Sequence, residues 1–268
     1  MLQRALLALA VACAFCLPAA AWGPEGHRIA GELAGKLLTP AARARVAAIL
    51  EPGKTLASIS NWADDIRQDR PETAPWHYID IPIGRPDLEM PRDCPKRDCI
   101  IAKIEDFEHI LQAGSGGLES RREALMFLTH FIEDLHQPLH CSDDRDRGGN
   151  DVPVEFLGEP TNLHSVWDSG LLARMGPEDR LFESLASELT PSAAAKLSRG
   201  SVKDWAAESH HVAIIAVYGR LPKAFRHASK ESPLKLGEAY ERGADPVIRL
   251  QLERAAARLA KTLNTVLK

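Results

Sequence analysis

Along most of the chain, apolar residues recur at three- and four-residue steps, the spacing that lines one face of a helix. The segment "TPAARARVAAIL" places Thr39 as an N-cap and Pro40 at the first helical position. The segment "SRREALMFLTHFIEDLHQ" opens on a Ser120/Glu123 capping box and carries Leu125, Leu128, Ile132 and Leu135 on one stripe, with Pro138 closing it. Residues 202–218 and 234–267 read as helices too, the last with a break at Asp245-Pro246. Alternating patterns are scarce. "WHYIDIPI" and "VPVEFLG" are the best strand candidates, both short, and Gly148-Gly149-Asn150-Asp151 is a turn cluster. The pattern predicts an all-α fold: a single, mainly helical domain with long loops and at most a small hairpin.

The N-terminus departs from this pattern. Arg4 precedes an apolar run from Ala5 to Leu17 that is too short to span a bilayer, Pro18 breaks it, and Ala19-Ala20-Ala21 follows. This is the pattern of a signal peptide over residues 1–21, leaving a domain over 22–268 that is secreted or periplasmic after cleavage between Ala21 and Trp22. No later run is long enough for a membrane span, so no stable membrane association is expected, and no oligomer signal argues against a monomer. Export permits oxidation, and Cys94 and Cys99 bracket a short polar loop suited to a local disulfide, with Cys141 left as a buried thiol. The net charge of -4 provides no global attraction for nucleic acid, so phosphate would have to be drawn in locally.

The residues that carry chemistry are histidines and aspartates. In "HFIEDLHQPLH", His130 and Asp134 are four apart and share a helix face, and His140 follows the helix end. "NLHSVWDSG" repeats the spacing with His164 and Asp168, "SNWADDIR" offers Asp64 and Asp65, "WHYID" offers His77, and His27 lies near Trp22. Any one pair is more often a weak ion pair than a ligand set. Two such pairs on separate helices, with further histidines and aspartates, can converge in a helical core as nitrogen and oxygen ligands, which suit zinc and leave room for water.

With these residues, six motifs stand in order: W-G-x-x-G-H at 22–27, W-A-D-x-x-R at 62–67, H-[FY]-I-D at 77–80, H-F-I-x-D-x-x-Q-P-L-H at 130–140, G-G-N at 148–150 and N-L-H-x-x-W-D at 162–168. From Trp22 to about Gly170 the chain resembles the zinc-dependent single-strand-specific nucleases first known from fungi, the S-one and P-one type, which have bacterial members; zinc-dependent phospholipase C is a more distant likeness. The resemblance implies three zinc ions. Asp64, His77 and His130 would hold one, with Asp134 bridging to a second. The second would be completed by His27 and by the α-amino nitrogen and carbonyl oxygen of Trp22, and the third held by His140, His164 and Asp168. Arg67, Asp64 and Asn150 would be catalytic, Arg67 stabilising transition-state charge and Asn150 positioning the phosphate. Tyr78 and Asp80 would bind the base, stacking on it and accepting from its edge. The implied partners are single-stranded DNA and RNA and 3'-nucleotides, cleaved at P-O3' to leave 5'-phosphates.

Two features depart from the fungal pattern. The loop "CSDDRDRGGN" is one residue longer and carries Arg145 and Arg147, which puts Arg147 on the base or phosphate path. The Cys94/Cys99 pair replaces a fuller disulfide set. A phospholipase C acting on phospholipids is the rival reading. Asp168 argues against it, because those lipases typically use Glu there, and so does the Tyr78/Asp80 pair. His136, His109, His210, His211 and His227 are read as structural.

Overall fold

The computed structural model describes residues 22–85, 87–114 and 116–268; the predicted signal peptide lies outside the described residues. Helices α1 (Pro24–Leu37) and α2 (Pro40–Ile49) come first, α2 starting as its sequence asks: the Thr39 side chain accepts from the Ala42 amide and Pro40 follows. Two single turns, α3 (Leu56–Ile59) and α4 (Trp62–Asp65), lead through a 3-10 segment at Pro71–His77 to α5 (Met90–Asp93), α6 (Ile100–Ala113) and α7 (Gly117–Asp134). A second 3-10 segment (Pro138–Cys141) precedes the β1 (Pro153–Phe156) and β2 (Glu159–Asn162) hairpin and the short α8 (Leu163–Ser165). Helices α9 (Glu178–Glu188), α10 (Pro191–Leu197) and α11 (Val202–Val212), strand β3 (Leu234–Leu236) and the long α12 (Glu238–Val266) complete the chain.

Helix α7 is the axis of the core. It packs against α6, α12, α4, α1 and α3, and α1 lies along α12. Leu125, Leu128, Ile132 and Leu135 are wholly buried, as their spacing predicts. Phe127 stacks on Phe107 at 5.0 Å and receives the edges of Trp62 at 5.0 Å and Trp76 at 5.5 Å. Such aromatic pairs add ~0.5–1.5 kcal/mol each beyond area burial, and these three fasten α4, α6 and the Pro71–His77 segment to α7. The site residues on α4 and at His77 are thereby held against α7.

Four expectations change. The hairpin gains a third strand: β3 pairs parallel to β1, Val154 opposite Leu234, so residues 234–236 form a strand where helix was expected. In "WHYIDIPI", Trp76 and His77 end the Pro71–His77 3-10 segment, and residues 78–82 are extended but join no sheet. They run beside the Pro138–Cys141 segment, with the Ile79 amide donating to His140 at 2.8 Å and the Asp143 amide donating to Ile81 at 3.0 Å. Helix α7 starts at Gly117, entered through Gly116 at φ 85, because Glu123 is taken by Arg70 at 3.0 Å instead of closing a box with Ser120; it ends at Asp134, a turn before Pro138. Helix α12 runs through Pro246 unbroken, since Ala244, Ile248, Leu252 and Ala255 on its buried face hold it in place. The Cys94–Cys99 disulfide is formed and Cys141 is a buried free thiol. No helix among the described residues is long and apolar enough to cross a membrane.

Candidate metal centre

Six segments converge at the C-terminal end of α7. The helix supplies His130 and Asp134 from one face, both 0% exposed. His27 enters from the first turn of α1, Asp64 from α4 and His77 from the end of the Pro71–His77 segment. His140 sits in the 3-10 segment, His164 on α8 and Asp168 in the following π-turn (Val166–Gly170).

Four of the five histidines are braced from behind. The Nδ1–H of His130 donates to the Ser60 carbonyl at 2.6 Å, that of His140 to the His77 carbonyl at 2.7 Å and that of His164 to the Gly148 carbonyl at 2.7 Å. His27 Nδ1 meets Glu133 Oε2 at 2.7 Å. A carbonyl can only accept, so His130, His140 and His164 must keep the proton on Nδ1 and aim the Nε2 lone pair inward. Gly148 makes one of these braces possible. Its backbone sits at φ 60, and a Cβ there would lie 2.7 Å from the Leu139 carbonyl oxygen.

The inward-facing atoms crowd each other. His140 Nε2 lies 3.2 Å from His164 Nε2, which is 3.4 Å from Asp168 Oδ2. His77 Nδ1 is 3.0 Å from both Asp134 Oδ2 and His130 Nε2. His27 Nε2 is 3.3 Å from Asp134 Oδ1. Three triads form, His77/His130/Asp134, His140/His164/Asp168 and His27/Asp64/His130, each with its donor atoms within 4.8 Å of one another. His27 Nε2, Asp134 Oδ1, His77 Nε2 and Asp64 Oδ2 are buried with no hydrogen-bond partner among the described residues. Two imidazole lone pairs facing at 3.2 Å repel unless a cation lies between them, and stranded buried polar atoms are costly. Donors around a tetrahedral zinc, ~2.0–2.1 Å from each, stand about 3.3 Å apart. The residues therefore fit a divalent cation among His140, His164 and Asp168, and at least one more among His27, Asp64, His77, His130 and Asp134, where two triads share the single free lone pair of His130.

Without a cation the cluster holds uneven charge. Burial lowers His77 to about 4, and burial followed by the His140 charge lowers His164 to about 3. Burial also raises Asp168 well above the carboxylate range. For His27, burial is outweighed by the neighbouring Asp134 and Glu133 carboxylates, which raise it to about 10.

Above the triads lies a cleft of about 350 Å³. Its walls include Arg67, Tyr78, Asp80, Arg147 and Asn150, with His77, His140 and His164 at its base. Arg67 donates to Asp64 Oδ1 at 3.2 Å from the cleft edge. Tyr78 is 38% exposed, while Ile79 and Ile81 on the other face are buried, so the extended backbone turns Tyr78 and Asp80 outward together. Desolvation within the cleft, then the Asp143 and Asp146 carboxylates, raise Asp80 to about 6. Asn150 donates its amide to the Arg147 carbonyl at 2.9 Å, and Arg147 lies 3.4 Å from Asp151 at the surface. The Trp22 indole is fully buried, and the next residue is pinned where the Gly23 amide donates to the Asp168 carbonyl at 2.7 Å. A similarly sized, more apolar hollow between α1 and α2 contains no histidine or aspartate.

The S1/P1 nuclease family model matches residues 22–268, all of the described chain. The chain belongs to the S1/P1 nuclease family. It is accordingly a metal-dependent phosphodiester hydrolase of nuclease type. It is 28% identical to Endonuclease 3 of Arabidopsis thaliana over 91% of this chain and 88% of that one. It is 34% identical to Nuclease S1 of Aspergillus oryzae over 56% of this chain and 54% of the relative, and 36% identical to Nuclease P1 of Penicillium citrinum over 55% and 57%. The phospholipase C alternative is not favoured by these matches.

Three buried residues escape the sequence reading: Ser60, Glu133 and Gln137, all 0% exposed. Gln137 donates to Asp168 Oδ1 at 2.5 Å while its own carbonyl accepts from the Leu139 amide at 2.6 Å. Its place in Q-P-L-H carries it into a motif but implies no role. Glu133 stands three residues from His130, on the same helix face, and that spacing is the signal that could have found it.

Proposed function

We propose that this S1/P1-family chain is a zinc-dependent, single-strand-specific endonuclease, exported and cut between Ala21 and Trp22. It would hydrolyse DNA and RNA at P-O3' to leave 5'-phosphates, and remove the 3'-phosphate of nucleotides, working as a monomer free of the membrane. The observation that carries the reading is the set of three His/Asp triads, two of which reach, through His77, His140 and His164, a cleft lined by Arg67, Tyr78 and Asp80.

Asp64, His77 and His130 would hold one zinc, with Asp134 shared with a second. His27 and the terminal amine and carbonyl of Trp22 would complete the second, and His140, His164 and Asp168 would hold the third. The indole of Trp22 anchors that terminus by burial. A free α-amine has a pKa near ~8, so a metal can displace its proton at neutral pH. Zinc, when bound, supplies Lewis acidity that makes water a nucleophile near neutral pH and withdraws charge from phosphoryl oxygens.

The chain's own groups do the rest. Asp64 Oδ1 faces His77 and His130 as well as Arg67, so it is the oxygen suited to the metal, while Oδ2, without a hydrogen-bond partner among the described residues, can accept a proton from the attacking water. Arg67 donates into the cleft, where charge grows on the non-bridging phosphate oxygens as the P-O3' bond breaks. Asn150 and Arg147, tied to each other through their loop, steer the phosphate toward it. A base laid on the Tyr78 ring must first leave its own stack, which favours single strands, and Asp80 accepts from an N–H on the base edge. The testing experiment incubates the protein starting at Trp22 with single-stranded DNA, duplex DNA and phosphatidylcholine. Cleavage of the single strand alone, with 5'-phosphate ends, supports the reading; release of phosphocholine instead would replace it with the lipase reading.

A further inference from the structure

Glu133 lies in the last turn of α7 and is 0% exposed. A carboxylate so far from water is costly unless each oxygen is matched. Both are. Oε2 lies 2.7 Å from His27 Nδ1, and Oε1 lies 3.1 Å from the Ser60 hydroxyl, whose one proton it shares with the Leu56 carbonyl at 2.9 Å. On the far side of the His27 ring, Nε2 points at Asp134 Oδ1 from 3.3 Å, and neither of these two atoms has a hydrogen-bond partner among the described residues. The plane of the ring is fixed as well, because it stacks on His130 with centroids 4.2 Å apart.

We propose that Glu133 is a positioning residue for the cation shared by His27 and Asp134: it holds the His27 proton on Nδ1, turns Nε2 toward Asp134 and adds one negative charge behind the ligand. This rests on the zinc reading above and deepens it. His27 would otherwise be the one braced histidine without an obligatory acceptor behind it. The other three use backbone carbonyls, which are neutral and cannot be altered by a side-chain substitution. A carboxylate in that position would make the imidazole a stronger donor to a cation than a neutral carbonyl does.

Ser60 extends the device. Its hydroxyl reaches Glu133, while its carbonyl accepts from His130 Nδ1 at 2.6 Å, so one residue steadies histidines of two triads. Helix α1 leaves room for it. A Cβ at Gly31 would lie 2.4 Å from Ser60 Oγ and 3.0 Å from the Ala57 backbone, so only glycine lets α1 and α3 approach this closely. The helix that carries His27 thereby also admits the residue that secures its partner.

The test uses the chain starting at Trp22, with Glu133→Gln, Glu133→Ala and Ser60→Ala variants. Zinc per chain is measured after dialysis against buffered free zinc, together with the absorption of cobalt-substituted protein and the circular dichroism. Glu133→Gln keeps the shape and an acceptor for His27, so it should fold as the native chain does. It should release one ion at 10–100-fold higher free-zinc concentration while keeping the others, with an altered cobalt spectrum. The cleavage rate should fall in kcat with KM little changed, Glu133→Ala should be the more severe and Ser60→Ala the milder. Wild-type zinc affinity and an unchanged cobalt spectrum in folded Glu133→Gln would overturn the proposal alone. A wild-type chain that binds no zinc would overturn this proposal together with the functional reading it rests on.

Discussion

The base of the cleft and its rim are built in opposite ways. At the base, His27, His130, His140 and His164 are each braced by a second partner, and the donor atoms are buried and crowded to about the spacing of a zinc tetrahedron. At the rim, Tyr78 and Asp80 project from an extended segment that joins no sheet, and Arg147 pairs with a surface aspartate at 3.4 Å. The base is over-determined and the rim is not. Chemistry that needs fixed charges belongs where geometry has no slack, whereas a substrate of varied sequence is better met by exposed groups. Changes at the base should therefore remove the reaction, and changes at the rim should alter which substrate is held.

The largest expected effect lies at the Trp22 boundary. A chain carrying even one extra residue ahead of Trp22 lacks the free amine there, and should lose the ion shared with His27 and nearly all phosphodiester cleavage, as read by zinc content and turnover. Next is Arg67→Ala, which stands between base and rim. It should leave zinc content unchanged while kcat falls ~10²–10³-fold, the scale of removing one transition-state charge stabiliser. Unchanged turnover would break the division by putting Arg67 outside the chemistry.

Rim substitutions should be smaller and appear in KM. Tyr78→Ala should weaken substrate binding by ~1–3 kcal/mol for the lost stack, with kcat nearly unchanged on single-stranded oligonucleotides. The smallest effect is at Asp80. Its folded-state pKa is raised to about 6, so it is a carboxylate above that pH and a neutral acid below it. KM for a 3'-nucleotide should rise in the wild type as pH falls from 7 to 5, and Asp80→Asn should lose that rise. The sign for stability follows from the same shift. The cost of a carboxyl whose folded pKa is raised builds as pH rises from about 4, where the unfolded chain ionises, and is complete above about 6, so Asp80→Asn should slightly raise the melting temperature at pH 7 and not at pH 4.

What was legible in the chain divides along similar lines. Periodicity reads α7 and its buried stripe, and the cap at Thr39, because those signals are local. The same spacing rule puts His130 and Asp134 on one face. The start of α7 was misread because Glu123 has a distant claimant in Arg70, and β3 because three residues carry too little pattern to reveal a parallel partner in β1. At the site, the ligand-type residues are legible as histidines and aspartates at helical spacing. Their braces are not: Ser60, Glu133 and Gln137 act through contacts with residues 70, 106 and 31 positions away. Pro246 is the converse case, a strong local breaker overridden by the packing of α12 against α1.

The central claim is that the buried triads hold zinc and that this zinc does the chemistry. The most direct measurement is the metal content of the chain starting at Trp22, before and after chelation, paired with cleavage of single-stranded DNA in the same samples. About three zinc ions per chain are predicted, one for each ligand set proposed above, with cleavage lost on chelation, restored by zinc, and the melting temperature falling and recovering in step. A metal-free chain that still cleaves at the wild-type rate would contradict it.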